Sequence, residues 1–207
     1  MVAAVEAVGR QPFFAQKILT LMLISQSIIE AIAFFAFVVA ILIKGRIVDS
    51  ITLQESIRCF AAGLAIMVGC VGPAVGQAIF TRAVCSSVGQ NKDAYDRLFP
   101  FTFFGVAIIE AAMIFCLLFS LLILFAPLPI DYSATLLARF IIGALTMGIG
   151  SCATAICIGK VLATSSIAIA CEPESYGTLL RTTLIIVVFI ESVIVYALIA
   201  SLLIFKL

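Results

Sequence analysis

Residues 25–43 read SQSIIEAIAFFAFVVAILI, an unbroken apolar run except for one carboxylate, Glu30, and the small polar residues that precede it. Lys17 and Lys44 close the run on either side. A helix needs about 20 predominantly apolar residues to cross a bilayer, and this segment supplies them. The carboxylate is the anomaly, because a charge at the bilayer centre costs about 3 kcal/mol on insertion scales. A residue that expensive in that position is by default a functional one.

The rest of the chain has the same character. Its 207 residues are 64% hydrophobic and 11% charged, with a mean hydropathy of +1.31, a composition that a water-exposed surface does not carry. The sequence therefore predicts an integral, multi-pass membrane protein. A net charge of +1 with no basic cluster excludes a nucleic-acid partner, because phosphate binding needs many grouped Lys or Arg side chains. Histidine is absent, which removes the commonest general base and transition-metal ligand. The seven cysteines contain no CxxC pair and lie mostly in apolar segments, so they read as small packing residues and not as a disulfide or zinc framework. The start, MVAAVEAVGRQPF, does not have the layout of a secretory signal.

Charges partition the chain into spans. Arg97 to Asp131 and Arg181 to Lys206 each enclose a long apolar run with one charge, like the first run, whereas Arg58 to Arg82 and Arg139 to Lys160 enclose none. Five transmembrane helices are expected, near 15–43, 54–86, 98–127, 134–168 and 177–206, in an all-α protein of tandem helical hairpins.

Three of these helices hold a carboxylate near the middle: Glu30, Glu110 and Glu191, spaced by 80 and 81 residues. Pro12 stands 18 residues before Glu30, Lys92 18 before Glu110, and Pro173 18 before Glu191, so the polar segments GRQP, GQNK and ACEP occupy equivalent places. Equal spacing from a polar turn to a buried acid, three times over, defines a repeat. Two helices per unit return the chain to the same side, so the repeat is direct, unlike the inverted repeats of many secondary transporters. The units expected are 1–48, 49–130 and 131–207. The first lacks most of an inner helix, since residues 1–9 make only about 13 Å; either a helix precedes residue 1 or a neighbouring subunit provides it.

The uncharged helices are rich in small residues. The second span reads GLAIMVGCVGPAVGQ and the fourth GALTMGIGSCATAICIG. Small side chains let backbones approach closely in lipid, where van der Waals packing drives association. An inner circle of thin helices inside a wider circle of Phe-, Ile- and Leu-rich helices would make use of this division.

These residues resemble the proteolipid, or c-type rotor component, of rotary F- and V-type ATP synthases and ATPases, in a form with several fused hairpins. The loop AVEAVGRQP and the outer helix LISQSIIEAIAFFAFVVAILI match that family closely, and VGPAVGQ, ending in Gln77, matches its inner-helix pattern. Loops 2 and 3 lack the Arg-Gln-Pro consensus. The resemblance implies an ion-carrying rotor component, not a catalyst by itself, that binds H⁺ at Glu30, Glu110 and Glu191 and releases it as a ring turns. It also implies a homo- or hetero-oligomeric ring in contact with membrane lipid, the a-type component of a stator, and central-stalk subunits met by Arg10, Gln11 and Pro12 on the cytoplasmic side. No cofactor and no resident metal are implied.

The transported ion has an alternative in Na⁺, which needs several oxygen ligands in place of its water shell. In sodium-type relatives these are an inner-helix Gln, the Glu, and a hydroxyl just after it. Gln77 matches the first, and Ser192 with Tyr196 matches the others beside Glu191. Glu30 and Glu110 are each followed by Ala, and Ile158 replaces the Gln in repeat 3. Gln26, one turn before Glu30, is a further candidate ligand. Two of three sites are thus poor in oxygen, and the reading favours protons.

Two other function classes remain open at this point: a small monomeric ion-coupled secondary transporter, and a structural or pore-forming membrane oligomer in which the acids are merely satisfied by neighbours such as Ser25 and Ser27. Lys44, Arg46, Arg58, Arg139 and Lys206 fall at helix ends, where long cationic side chains reach headgroups. Lys92, Asp93, Asp96 and Arg97 form a polar turn.

Overall fold

The computed structural model describes residues 1–47, 51–126 and 134–205. Among them six α-helices occur: α1 (Val2–Arg10), α2 (Ala15–Lys44), α3 (Leu53–Gln90), α4 (Tyr95–Phe125), α5 (Ala134–Cys171) and α6 (Tyr176–Phe205). The last five are long and apolar enough to cross a membrane. The boundaries expected between the repeat units fall at 48/49 and 130/131, outside the described residues, as does Lys206.

The helices form two layers. α3 lies between α1 and α5, and its longest contact is with α5. In the second layer α2 packs on α3 and α4, α4 on α3 and α5, and α6 chiefly on α5. α4 is thus flanked on both sides, which buries Phe101, Val106, Ile109, Met113 and Phe119. α2 and α6 bound the second layer and keep large apolar side chains exposed, among them Phe34, Phe37, Val188 and Phe189.

Three corners join the inner helices to the outer ones, each a single 3₁₀ turn: Pro12–Phe14, Lys92–Ala94 and Pro173–Ser175. The residue that breaks each inner helix, Gln11, Asn91 or Glu172, has φ of −135°, −134° or −140°. Before Pro12 and Pro173 this follows from sterics, since proline disfavours helical conformation in the residue ahead of it. Corner 2 has no proline. There the side chain of Asn91 does the work, its Oδ1 accepting from the Asp93 N–H at 3.0 Å in an Asx turn.

The inner helices run further toward the corners than the hydropathy pattern implies, α3 to Gln90 and α5 to Cys171. Tertiary packing is the cause. The last turns of α3 bury Ser87, Val88 and Gly89, with Gly89 against Ala7 of α1.

The small residues of α3 and α5 face each other. A Cβ on Gly72 would overlap the backbone of Cys152, one on Gly76 the backbone of Ala155, and one on Gly159 the backbone of Gly76. Side-chain hydrogen bonds then lock the second layer onto the first. Ser120 Oγ of α4 donates to the Ala62 carbonyl of α3 at 2.9 Å, and Ser151 Oγ of α5 donates to the Ala112 carbonyl of α4 at 2.9 Å. Such bonds are worth about 0.6 kcal/mol each within a bilayer. They fix register more than they supply stability.

Arg58 does not lie free at its helix end, and Arg46 is drawn into the same cluster. Arg58 is buried (4% exposed), donates to the carbonyls of Ile123 and Ala126, and pairs with Glu55 at 3.3 Å. Glu55 also pairs with Arg46 at 2.8 Å, whose guanidinium lies 5.0 Å from the centre of the Phe125 ring. The physical reason is that α4 ends beside the start of α3, leaving carbonyls at its C-terminus that need a donor and favour a cation. Glu55 is held in turn at the start of α3, where its backbone N–H donates to Thr52 Oγ1 at 3.2 Å. Replacing the arginine in Arg58→Met strands two carbonyls and leaves Glu55 with one partner. A loss of about 3 kcal/mol is expected, read as a lower melting temperature of the detergent-solubilised protein, whereas Lys44→Met at an exposed helix end leaves it unchanged.

Candidate functional site

The acids occupy the same position along each outer helix. Glu30, Glu110 and Glu191 each stand fifteen residues beyond the first residue of α2, α4 and α6, about 22 Å along the axis. Every one follows the same kind of corner, so the equivalence expected from spacing is also an equivalence of helical position. Their surroundings differ. Glu30 is exposed, and Glu110 and Glu191 are half-buried.

The side chains around Glu30 supply one donor. Gln26 Nε2, one helical turn earlier, donates to Glu30 Oε1 at 3.4 Å. Ser25 and Ser27 do not serve the acid: their hydroxyls donate to the carbonyls of Leu21 and Leu23 in their own helix. This removes the reading in which those serines merely satisfy the carboxyl.

Gln77 of α3 is fully buried. Its Nε2 donates to the Val106 carbonyl of α4 at 3.4 Å, one turn before Glu110, while its Oε1 has no partner. An unpaired buried amide oxygen costs about 1–3 kcal/mol. The amide is thus anchored one helical turn from the second acid, with its oxygen unpaired.

The candidates beside Glu191 are arranged less favourably. Ser192 Oγ donates to the Phe189 carbonyl at 2.7 Å, and Tyr196 is exposed at 66%. Ile158, in the place of Gln77, is buried and offers no polar atom. The third acid thus lacks a counterpart of the buried amide that stands near the second.

Hydropathy could not single out two further polar groups. Thr81 Oγ1 of α3 and Thr154 Oγ1 of α5 are buried without partners. Thr81 lines an open recess of about 450 Å³ between α1, α2 and α3, together with Gln26, Ile29, Glu6 and Arg82. The sequence signal was a lone Thr one turn after Gln77, which apolar patterning does not resolve.

At the corners, Arg10 and Pro12 are exposed and Gln11 half-exposed. Phe13 is fully exposed. The neighbouring corners touch through aromatic rings: Lys17 Nζ lies 4.6 Å from the centre of the Tyr95 ring, and Arg97 lies 5.9 Å from that of Tyr176.

Comparison with known proteins agrees with this geometry. The family of the ATP synthase C subunit matches at residues 1–43, 60–123 and 141–204, and each segment contains one acid-bearing outer helix. The ATP synthase c subunit of Chloroflexus aurantiacus is 34% identical over 75 residues, which is 36% of this chain and 99% of that protein. That of Dehalococcoides mccartyi is 33% identical over 71 residues, 34% of this chain and 93% of the relative. The ATP synthase c subunit numbered 2 of Cereibacter sphaeroides is 37% identical over 65 residues, 31% of this chain and 78% of the relative. A relative nearly whole thus matches about a third of the chain, and the family as a whole matches it three times over. The chain belongs to the ATP synthase C-subunit family, as a member with several hairpins fused in one polypeptide.

Proposed function

We propose that the chain is the ion-carrying rotor component of a rotary ATP synthase or ion-pumping ATPase, with Glu30, Glu110 and Glu191 as three carriers in repeats 1–48, 49–130 and 131–207. The observation that carries this reading is the common position of the acids, fifteen residues past three equivalent corners. A carboxyl removed from water favours its neutral form, because the anion loses hydration. In this cycle a glutamate crosses the lipid in neutral form and releases its proton where an aqueous path or a fixed cation of the stator stabilises the anion.

Movement of a charge through the membrane potential supplies about 2.3 kcal/mol per 100 mV. One passage falls well short of an ATP, so many carboxylates must pass in sequence. This favours a ring turning against the a-type component of a stator, in a bacterial cell membrane or an organelle energy-coupling membrane. The exposed first corner, Arg10, Gln11 and Pro12, is then the contact for the central stalk.

Protons are the ion that the sites favour. Glu30 has one amide neighbour, the hydroxyl of Ser192 is engaged by its own helix, and neither arrangement supplies the several oxygens that Na⁺ requires. One observation favours a second reading: the unpaired Oε1 of Gln77 is an oxygen available to a cation near Glu110.

A hydrophobic carbodiimide separates the readings, since it adds to a protonated carboxyl within the lipid. Modification of Glu30, Glu110 and Glu191, located by mass spectrometry of the intact complex and matched by loss of ATP-driven pumping, is the expected outcome. Na⁺ in the medium is expected to give no protection. Protection by Na⁺ would replace protons with sodium, and unreactive acids would remove the carrier role.

A further inference from the structure

Thr102, Thr146 and Thr183 each donate to the carbonyl four residues earlier in their own helix, at 2.7, 2.8 and 2.7 Å, the ordinary outlet for a threonine hydroxyl in a helix. Thr81 and Thr154 do not, and the Oγ1 of each is buried without a partner. Thr81 lines the open recess beside α1. Thr154 is enclosed, at 2% exposure. Leaving a buried hydroxyl unpaired is costly, so a native fold that keeps one calls for a reason.

The register of α5 against α6 shows what lies near it. A Cβ on Gly150 would meet the Cβ of Ala197, and Ser165 Oγ lies 2.7 Å from Thr183 Oγ1. Between these two contacts of antiparallel helices, Thr154 comes level with Val193, about 3 Å along the axis from Glu191. Glu191 in turn stands four residues after Val187 and three before Ile194, on one face of α6. Both neighbours are 1% exposed, so this face is turned into the protein.

The two complete hairpins exchange polar groups at equivalent places. Repeat 2 has Pro73 and, one turn later, Gln77; repeat 3 has Thr154 and, one turn later, Ile158. Residues one turn apart share a helix face. One of the two positions is polar in each hairpin, and in both its oxygen is buried and unpaired. Thr154 also comes near the height of Glu110, because Ser151 Oγ donates to the Ala112 carbonyl of α4. Glu110, however, has Gln77 of its own hairpin one turn away, and Glu191 has Ile158 instead.

We infer that Thr154 is the positioning residue of the third carrier, its hydroxyl receiving the Glu191 carboxyl when that side chain turns inward from the lipid. The inference rests on the carrier reading above and adds that the third site is completed by a hydroxyl where the second has an amide. A neutral carboxyl both donates and accepts, as a hydroxyl does, so the pair closes without a cation.

The test is the rate at which a hydrophobic carbodiimide modifies each acid in membranes holding the full chain, followed by mass spectrometry of the three peptides. Thr154→Val keeps the shape of the side chain and removes the hydroxyl. Glu191 is expected to react severalfold faster in that variant, since its carboxyl then spends more time facing the lipid that holds the reagent. Glu30 and Glu110 keep their rates. Thr154→Ala and Thr154→Ser differ only in the oxygen and fit without displacing neighbours; the first is expected to act like Thr154→Val and the second like the unaltered chain. An unchanged Glu191 rate in Thr154→Ala, or equal acceleration in Thr154→Ala and Thr154→Ser, would overturn the assignment. Faster labelling of Glu110 in place of Glu191 would overturn it too. In each of these cases reaction of all three acids in the unaltered chain leaves the carrier reading standing. If none of them reacts, that reading fails and the role of Thr154 with it.

Discussion

Glu110→Gln is expected to abolish ATP-driven ion pumping in inverted membrane vesicles, and not merely to reduce it by the one-third that three independent acids would imply. The reason lies in the sharing of one path. Every carboxyl on a rotor must pass the same stator in turn, so one that cannot release its proton halts all the others. Glutamine has nearly the shape of the protonated acid, so the half-buried position of Glu110 is refilled and stability changes by less than about 1 kcal/mol. Protein level and oligomeric state should therefore match those of the unaltered chain. Glu30→Gln and Glu191→Gln are expected to act alike, even though Glu30 is exposed and has a different neighbour. Retention of two-thirds of the rate in any of the three variants would show that the acids work separately, as in a transporter.

Gly159→Val should have a comparably large effect for a different reason. The Cβ of any substituent would overlap the backbone of Gly76, and backbone cannot swing aside as a side-chain end does. Overpacking by one methyl costs about 1–3 kcal/mol, and a β-branched side chain adds further atoms at the most extensive helix contact in the molecule. Loss of most assembled protein from the membrane is expected, with Gly159→Ala intermediate. Gly177→Ala is the control. No atom lies within 4 Å of its added Cβ, and in a helix the change is favourable by about 0.5–1 kcal/mol. Similar losses for Gly159→Val and Gly177→Ala, measured by quantitative blotting of membranes, would separate the effect from the contact between α3 and α5.

The helices, their hairpin connection and the family were legible in the sequence because each leaves a local mark. Twenty apolar residues between charges define a span, and an acid at fixed distance from a polar corner defines a repeat. The small residues of α3 and α5 likewise announced close packing, which Gly72, Gly76 and Gly159 realise. What pattern could not show are contacts between residues far apart in the chain. Arg58 read as an ordinary cation at a helix end, but its acceptors, Ile123 and Ala126, lie far along the chain at the end of α4. The signal was present in the Thr52–Glu55 capping arrangement with Arg58 three residues on, which marks a charge cluster but not what it caps. Burial of α4 was equally invisible. Its composition matches those of α2 and α6, and only its central place in the second layer distinguishes it. The unpaired oxygen of Gln77 is likewise a property of the fold, because a glutamine amide has partners available in most surroundings.

Whether three carboxylates per chain ride on one rotor is decided by an image of the assembled protein in its membrane, resolved well enough to count helices. The expected image is a closed ring with an inner and an outer circle, an outer-helix count divisible by three, and one carboxylate on each outer helix at a common level. A monomer, an open chain of hairpins, or acids set at three different depths would contradict it.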